Sequence, residues 1–193
     1  MAGESKSLRE VLRIILFSSL LTKPDIKQLK VALNQESPRR RFELVKSEKN
    51  DAGATVVHWA ANAEFSDVID CIRESLSGFW ADLLSQKERV TDLTPLMRAA
   101  ATNNPLVVKA LVHDVPYERR REILLQRDKA GNAPLHVAVK KTGSVETIRS
   151  MTHTLTKKDA FTILQLCDKN GKTVVHIACE KRLLDVVKYL SKL

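Results

Sequence analysis

A unit of about 39 residues recurs in phase along this chain, and that self-similarity constrains the fold more than any other feature. It reads NDAGATVVHWAANA at Asn50–Ala63, DKAGNAPLHVAVKK at Asp128–Lys141 and DKNGKTVVHIACEK at Asp168–Lys181. An altered copy, RVTDLTPLMRAAAT, lies at Arg89–Thr102. A polar turn leads into Thr or Ala, two apolar residues, His, one more residue and then Ala. Thr55, Thr94, Ala133 and Thr173 mark the phase, at spacings of 39, 39 and 40. Such a unit cannot bury its apolar face alone, but stacked neighbours bury it for one another, so the pattern predicts a helical solenoid.

Two further segments complete each unit. A second helix carries the apolar pairs Val68-Ile69, Val107-Val108, Thr147-Ile148 and Val186-Val187. After it, residues 37–47, 78–88, 116–127 and 156–167 place apolar residues at helical spacing, such as Leu83/Leu84 and Ile123/Leu124. Ser37-Pro38 and Val115-Pro116 put Pro in the first turn, where its missing N–H costs nothing. At the start of the chain, Ser5–Leu21 reads as an amphipathic helix with Leu8, Val11, Leu12, Ile15 and Leu16 on one side. Counting back from Ile26 sets Arg13–Ser19 over the Thr-to-Ala positions of the motif, with Pro24–Leu33 as the partner helix.

The unit resembles the ankyrin repeat, whose pattern is a D-x-x-G turn followed by T-P-L-H-x-A-A. Gly53, Gly131 and Gly171 are kept, as are His58, His136 and His176. Pro occurs only at Pro95 and Pro134, and Asp92 and Met97 stand where Gly and His would be. The resemblance implies an all-α ankyrin-repeat solenoid of about five stacked units with short inserted helices. It forms one domain over 1–193: a degenerate N-terminal capping repeat at 1–49, repeats at 50–88, 89–127 and 128–167, and a last, shorter repeat at 168–193. The units exceed the family norm of about 33 residues. The surplus is the third segment, expected to replace at least part of the hairpin fingers between ankyrin units. The motif His is expected to bond across its turn and brace neighbouring units. The sequence stops at the end of a second helix with no polar capping unit after it. The expectation is a piece of a longer array, the alternative being an end face covered by another chain.

Chemistry is excluded motif by motif. Gly171-Lys172-Thr173 imitates the end of a phosphate loop, but Leu166 stands where that loop needs Gly. Three of the five His share one repeat position, so stacking spreads them along the solenoid instead of converging them on a metal. No HExxH or GxSxG occurs. The expectation is a non-enzyme without cofactor. The run IILFSSLL is too short to span a bilayer, and Arg13 before it with TKPD after it disfavours a secretory signal. Three cysteines without a CxxC pair argue against a disulfide framework and for the cytoplasm or nucleus. Cys179 holds the second Ala position and is expected to be a small buried hydrophobe. Trp80 is expected in the core.

In ankyrin stacks, partners contact the turn tips and the exposed side of the first helix. Carried onto this sequence, those positions give Trp59, Val90 and Leu93 towards one end and Lys129, Lys140, Lys141, Lys169, Lys172 and Lys181 towards the other. The expected function is protein–protein interaction through a graded groove, apolar then basic, suited to a partner with an acidic or amphipathic segment. The bland alternative is that the lysines keep the surface soluble and that Trp59 packs between units. The net charge of +9 also suits nucleic acid or an anionic membrane. That reading is not favoured for RNA, because aromatics for base stacking are only 5% of the chain. The triplets Arg39–Arg41 and Arg119–Arg121 are either solvated helix starts or such a patch. A regulatory segment of a larger signalling or channel protein is a third reading. The chain is expected to be a monomer.

Overall fold

The computed structural model describes residues 6–17, 24–153 and 155–193. The helix expected at Ser5–Leu21 therefore lies partly outside the described residues, as do the motif positions Ser18 and Ser19. Five units stack in order. The first contains α1 (Leu8–Phe17), α2 (Ile26–Asn34) and α3 (Pro38–Ser47). The second contains α4 (Val56–Asn62), α5 (Ser66–Ser75) and, after a 3-10 turn at Ser77–Phe79, α6 (Trp80–Leu84). The third contains α7 (Pro95–Thr102), α8 (Pro105–Val112) and α9 (Tyr117–Leu125). The fourth contains α10 (Pro134–Lys141), α11 (Val145–Thr152) and α12 (Lys157–Leu164), and the fifth α13 (Val174–Glu180) and α14 (Leu184–Leu190).

Each motif Thr has extended backbone and starts a first helix as its N-cap. Thr94 Oγ1 accepts from the Met97 N–H at 3.3 Å, satisfying a donor the helix would otherwise leave orphaned. First helices stack on first helices, α1 on α4, α4 on α7, α7 on α10 and α10 on α13. Second helices form a parallel row, α2, α5, α8, α11 and α14. The motif's small residues permit this close approach: Ala60, Ala61, Ala99, Ala100 and Ala138 are fully buried between rows. In α1 the five apolar residues named from periodicity are all buried.

The third segments are helical and form a row of their own, with α6 against α9 and α9 against α12. Phe42 of α3 stacks on Phe79 at 4.7 Å between ring centroids. Trp80 is buried, and its indole N–H donates to the Leu111 carbonyl at 3.0 Å. Arg41 and the second arginine triplet serve this row. Arg41 donates to the carbonyls of Glu36 and Ser75. Arg119 pairs with Asp82 and Glu122, Arg120 holds the carbonyls of Val112 and Val115, and Arg121 reaches Asp159 at 2.7 Å. Arg39 and Arg40 remain exposed.

Only the tips of the hairpin fingers persist, as short turns running straight on from the third segments. The tips form a ladder. Arg89 N–H donates to the Ala52 carbonyl, Lys129 N–H to Thr91 and Lys169 N–H to Ala130, at 3.0, 3.1 and 3.1 Å. Asp92 adopts φ 58°, the left-handed region that Gly53, Gly131 and Gly171 occupy in the other turns. Among the described residues nothing stacks on the far side of α13. Val175 there is 37% exposed, whereas its counterparts Val57, Leu96 and Leu135 are at 0%, 0% and 1%. Cys179 is exposed for the same reason, contrary to the burial expected from its Ala position.

Candidate partner-binding surface

The groove is built from the turn tips and the first helices. Three of the turns are closed by a polar side chain that bonds its own backbone. Asn50 Oδ1 accepts from Ala52 and Ala54, Asp128 Oδ1 from Ala130 and Asn132, and Asp168 Oδ1 from Asn170 and Lys172, all at 2.8–3.1 Å. In the third unit Glu88 takes this place: its N–H donates to the Leu93 carbonyl, as Asp128 donates to Asn132 and Asp168 to Lys172. The Glu88–Leu93 turn is one residue longer than Asn50–Ala54 or Asp128–Asn132.

At two of the junctions a histidine fastens a first helix to the following turn. His58 Nδ1 accepts from the Thr55 N–H and hydroxyl at 3.2 and 2.9 Å, which leaves Nε2–H to donate to the Leu93 carbonyl of the following unit at 3.1 Å. His136 repeats this with Ala133 N–H and the Lys172 carbonyl. Burial pushes the His58 pKa down to about 4 and also lowers that of His136, so both rings are neutral at pH 7. His176 makes the local bonds with Thr173, but among the described residues no following turn meets its Nε2. Met97, in the same slot of the third unit, is fully buried and serves as packing alone.

A groove of about 600 Å³ lies between the third and fourth units. Val90, Leu93, Ala101 and Val137 give it apolar surface, and Arg98, Lys129, Lys140, Lys141 and Asp128 give it charge, the Asp128 oxygens accepting from Ala130 and Asn132 of their own turn. Five of the nine residues expected in the binding surface, Val90, Leu93, Lys129, Lys140 and Lys141, thus meet in one place. Trp59 sits one unit away, half-buried against Phe65 at 5.3 Å, and lines a smaller hollow of about 140 Å³ beside Asn62 and Arg98. Lys169, Lys172 and Lys181 belong to the fifth unit.

The lysines are not electrically equal. Lys140 Nζ lies 2.6 Å from both Asp168 Oδ2 and Asn132 Oδ1. The hydrogen bond from Lys140, opposed by burial and reinforced by backbone N–H groups, pulls the Asp168 pKa to about 2. Lys172 pairs with Glu180 at 2.7 Å. Among the described residues Lys129 and Lys181 donate to carbonyls, of Arg89 and Lys140, and meet no carboxylate, while Lys141 and Lys169 are exposed.

Sequence reasoning missed Glu88 and Arg98. The Glu88 carboxylate is 1% exposed and bound by Arg98 through two contacts of 2.7 Å and by the Thr91 hydroxyl at 2.8 Å. Burial alone would raise its pKa, but these bonds and the Arg98 charge outweigh it, and the net shift is downward. The available signal was the polar closing residue of the other turns, which had to be sought one position earlier here. Among the described residues no group of His, Cys, Asp and Glu is placed to hold a metal ion, and no helix is long and apolar enough to cross a membrane.

Stacked turn–helix–helix units with histidine braces and a groove between neighbouring units define a helical-repeat protein of the interaction type. The profile of ankyrin repeats in three copies matches residues 57–161, and the chain belongs to the ankyrin-repeat family. It is similar to NF-kappa-B inhibitor alpha of Sus scrofa, 30% identical over 159 residues, covering 82% of this chain and 48% of the relative. The same inhibitor from Rattus norvegicus is 32% identical over 100 residues, covering 52% of this chain and 30% of the relative. A probable 26S proteasome regulatory subunit p28 of Saccharomyces cerevisiae is 33% identical over 96 residues, covering 50% and 38%. The alignments thus span less than half the length of each relative. Family and relatives together support a role in protein–protein interaction.

Proposed function

We propose that this chain is a non-catalytic scaffold that binds a partner protein along the concave row of turns and first helices. One observation carries the reading: a groove with apolar surface at exposed Val90 and half-buried Leu93 is rimmed by Lys129 and Lys141, neither of which has a carboxylate partner among the described residues. Extended concave surfaces are what stacked repeats create. The partner this suits is a protein segment with apolar side chains and an acidic end, and Lys169 and Lys181 extend the basic end along the stack. The relatives are named as an inhibitor of NF-kappa-B and as a probable regulatory subunit of the 26S proteasome, names that accord with this reading. Free cysteines suit the cytoplasm or nucleus as its place of action. Binding of nucleic acid gains little from the arginine triplets, since Arg41 and Arg119–Arg121 are committed to bonds within the stack.

The test is capture from nuclease-treated lysate by three forms: wild type, Val90→Asp, and Lys129→Glu/Lys141→Glu/Lys169→Glu/Lys181→Glu. Each substituted residue is exposed or bonds only a carbonyl, so the fold is retained. A discrete protein held by wild type and lost by both variants supports the groove. Capture that disappears on nuclease treatment replaces the reading with nucleic-acid binding, and equal capture by all three forms moves the site off the concave side.

A further inference from the structure

The repeat register places Trp59, Arg98, Val137 and Ile177 at one position on successive first helices. Arg98 is the charged member of that row. Its Nε–H and one N–H of Nη2 are taken by the two oxygens of Glu88, at 2.7 Å each. A guanidinium carries five N–H donors in a rigid fork, so a side-on pair leaves three, one on Nη2 and two on Nη1. Arg98 keeps 32% of its side-chain exposure and lines both the large groove and the hollow beside Trp59. The guanidinium that borders the groove is thus held by the Glu88 pair, with N–H groups that Glu88 does not take.

That arrangement differs from an ordinary surface arginine. A free guanidinium surrenders about 2 kcal/mol of rotamer entropy when a ligand orders it. Here a fully buried carboxylate, itself fixed by the Thr91 hydroxyl and by its own place in the turn, has ordered it in advance. Glu88 offsets much of the Arg98 charge, and Lys129 and Lys141 supply the surplus that draws an anion in. Beside the guanidinium lie Val90, Leu93, Ala101 and Val137. Charge and apolar surface thus meet within one groove, whose volume suits a few side chains.

We propose that Arg98 is the specificity anchor of this groove. It receives the carboxylate of an Asp or Glu in a partner peptide segment, while a neighbouring aliphatic side chain of that segment lies on the Val90–Leu93 surface. Glu88 is a positioning residue that acts through Arg98. The proposal rests on the groove reading given above and adds the chemistry that the groove selects.

The probe is a library of random linear peptides displayed on phage and selected on the wild-type protein, followed by fluorescence polarisation with the most enriched peptide made synthetically. Enriched sequences are expected to carry Asp or Glu close to Leu, Ile or Val. Changing that acid to its amide weakens binding to wild type roughly tenfold or more, the scale of a hydrogen bond to a charged group. The same change has little effect on Arg98→Met, because the interaction is already gone. Arg98→Met leaves Glu88 buried without its partner, so Glu88→Gln/Arg98→Met is measured in parallel and removes that stress from the fold. Arg98→Lys, with one point charge in place of the fork, recovers only part of the affinity. If the amide change costs the same on wild type and on both Met variants, or the enriched peptides lack an acid, the Arg98 anchor is overturned. Loss of binding in Val90→Asp would then show that the groove itself still stands. Full binding by Val90→Asp as well, or no enrichment at all, overturns both readings.

Discussion

The three motif glycines offer a measurement of what stacking is worth, because they share a backbone conformation and differ in what lies beyond them. Gly53 and Gly171 have φ 79° and 72°. A Cβ added at Gly53 would stand 2.8 Å from the Arg89 backbone nitrogen and 2.9 Å from Arg89 Cβ, whereas at Gly171 nothing lies within 4 Å. Gly171→Ala therefore costs the left-handed penalty alone, about 1–2 kcal/mol. Gly53→Ala incurs the same penalty and also drives the next turn away, since a backbone nitrogen cannot swing aside like a side-chain end. That displacement breaks the Arg89-to-Ala52 hydrogen bond, worth about 1 kcal/mol. It also adds packing strain of roughly 1–3 kcal/mol. The expected losses are thus about 3–6 kcal/mol for Gly53→Ala and about 1–2 for Gly171→Ala, read as ΔG from urea unfolding followed by circular dichroism. Equal losses in the two variants would refute the account of the turn ladder as the contact that joins units.

The histidine braces make stability depend on pH. The unfolded imidazole titrates near 6.5 and folded His58 near 4, so the brace is complete above pH 6.5 and is lost progressively as pH falls towards 4, a change of about 3 kcal/mol with His136 adding in the same direction. Urea midpoints that do not move between pH 7 and pH 4.5 would sink this. The cysteines should divide by position: Cys167 and Cys179 are exposed and react promptly with an aromatic disulfide reagent at neutral pH. Cys71 is buried, its thiol pushed up to about 11 by desolvation, and reacts only after unfolding. Three equally fast thiols, or protection of Cys179 in the isolated protein, would contradict the open face of α13.

What the sequence made legible is what depends on neighbours in the chain. Helix periodicity located the three rows, and the five apolar residues of α1 needed only one helical face to be named. The electrical state of the groove depends instead on contacts between units. Lys140 and Asp168 stand in different repeats and meet only because turns stack over first helices, so a lysine counted as free is half of an ion pair. The Glu88 turn was hidden for a different reason. Thr55, Thr94, Ala133 and Thr173 keep spacings of 39, 39 and 40, but the residues that close the turns, Asn50, Glu88, Asp128 and Asp168, are spaced 38, 40 and 40. The extra turn residue is offset by a shorter stretch before it, and counting from the helix caps erases both. That shift puts a side chain one methylene longer than Asp at the closing position, and its carboxylate reaches Arg98 on the helix of its own unit, whereas Asp168 reaches back to the unit before. The most irregular repeat in the sequence is thus the one that places a fixed guanidinium on the groove, because irregularity in length was what the pairing needed.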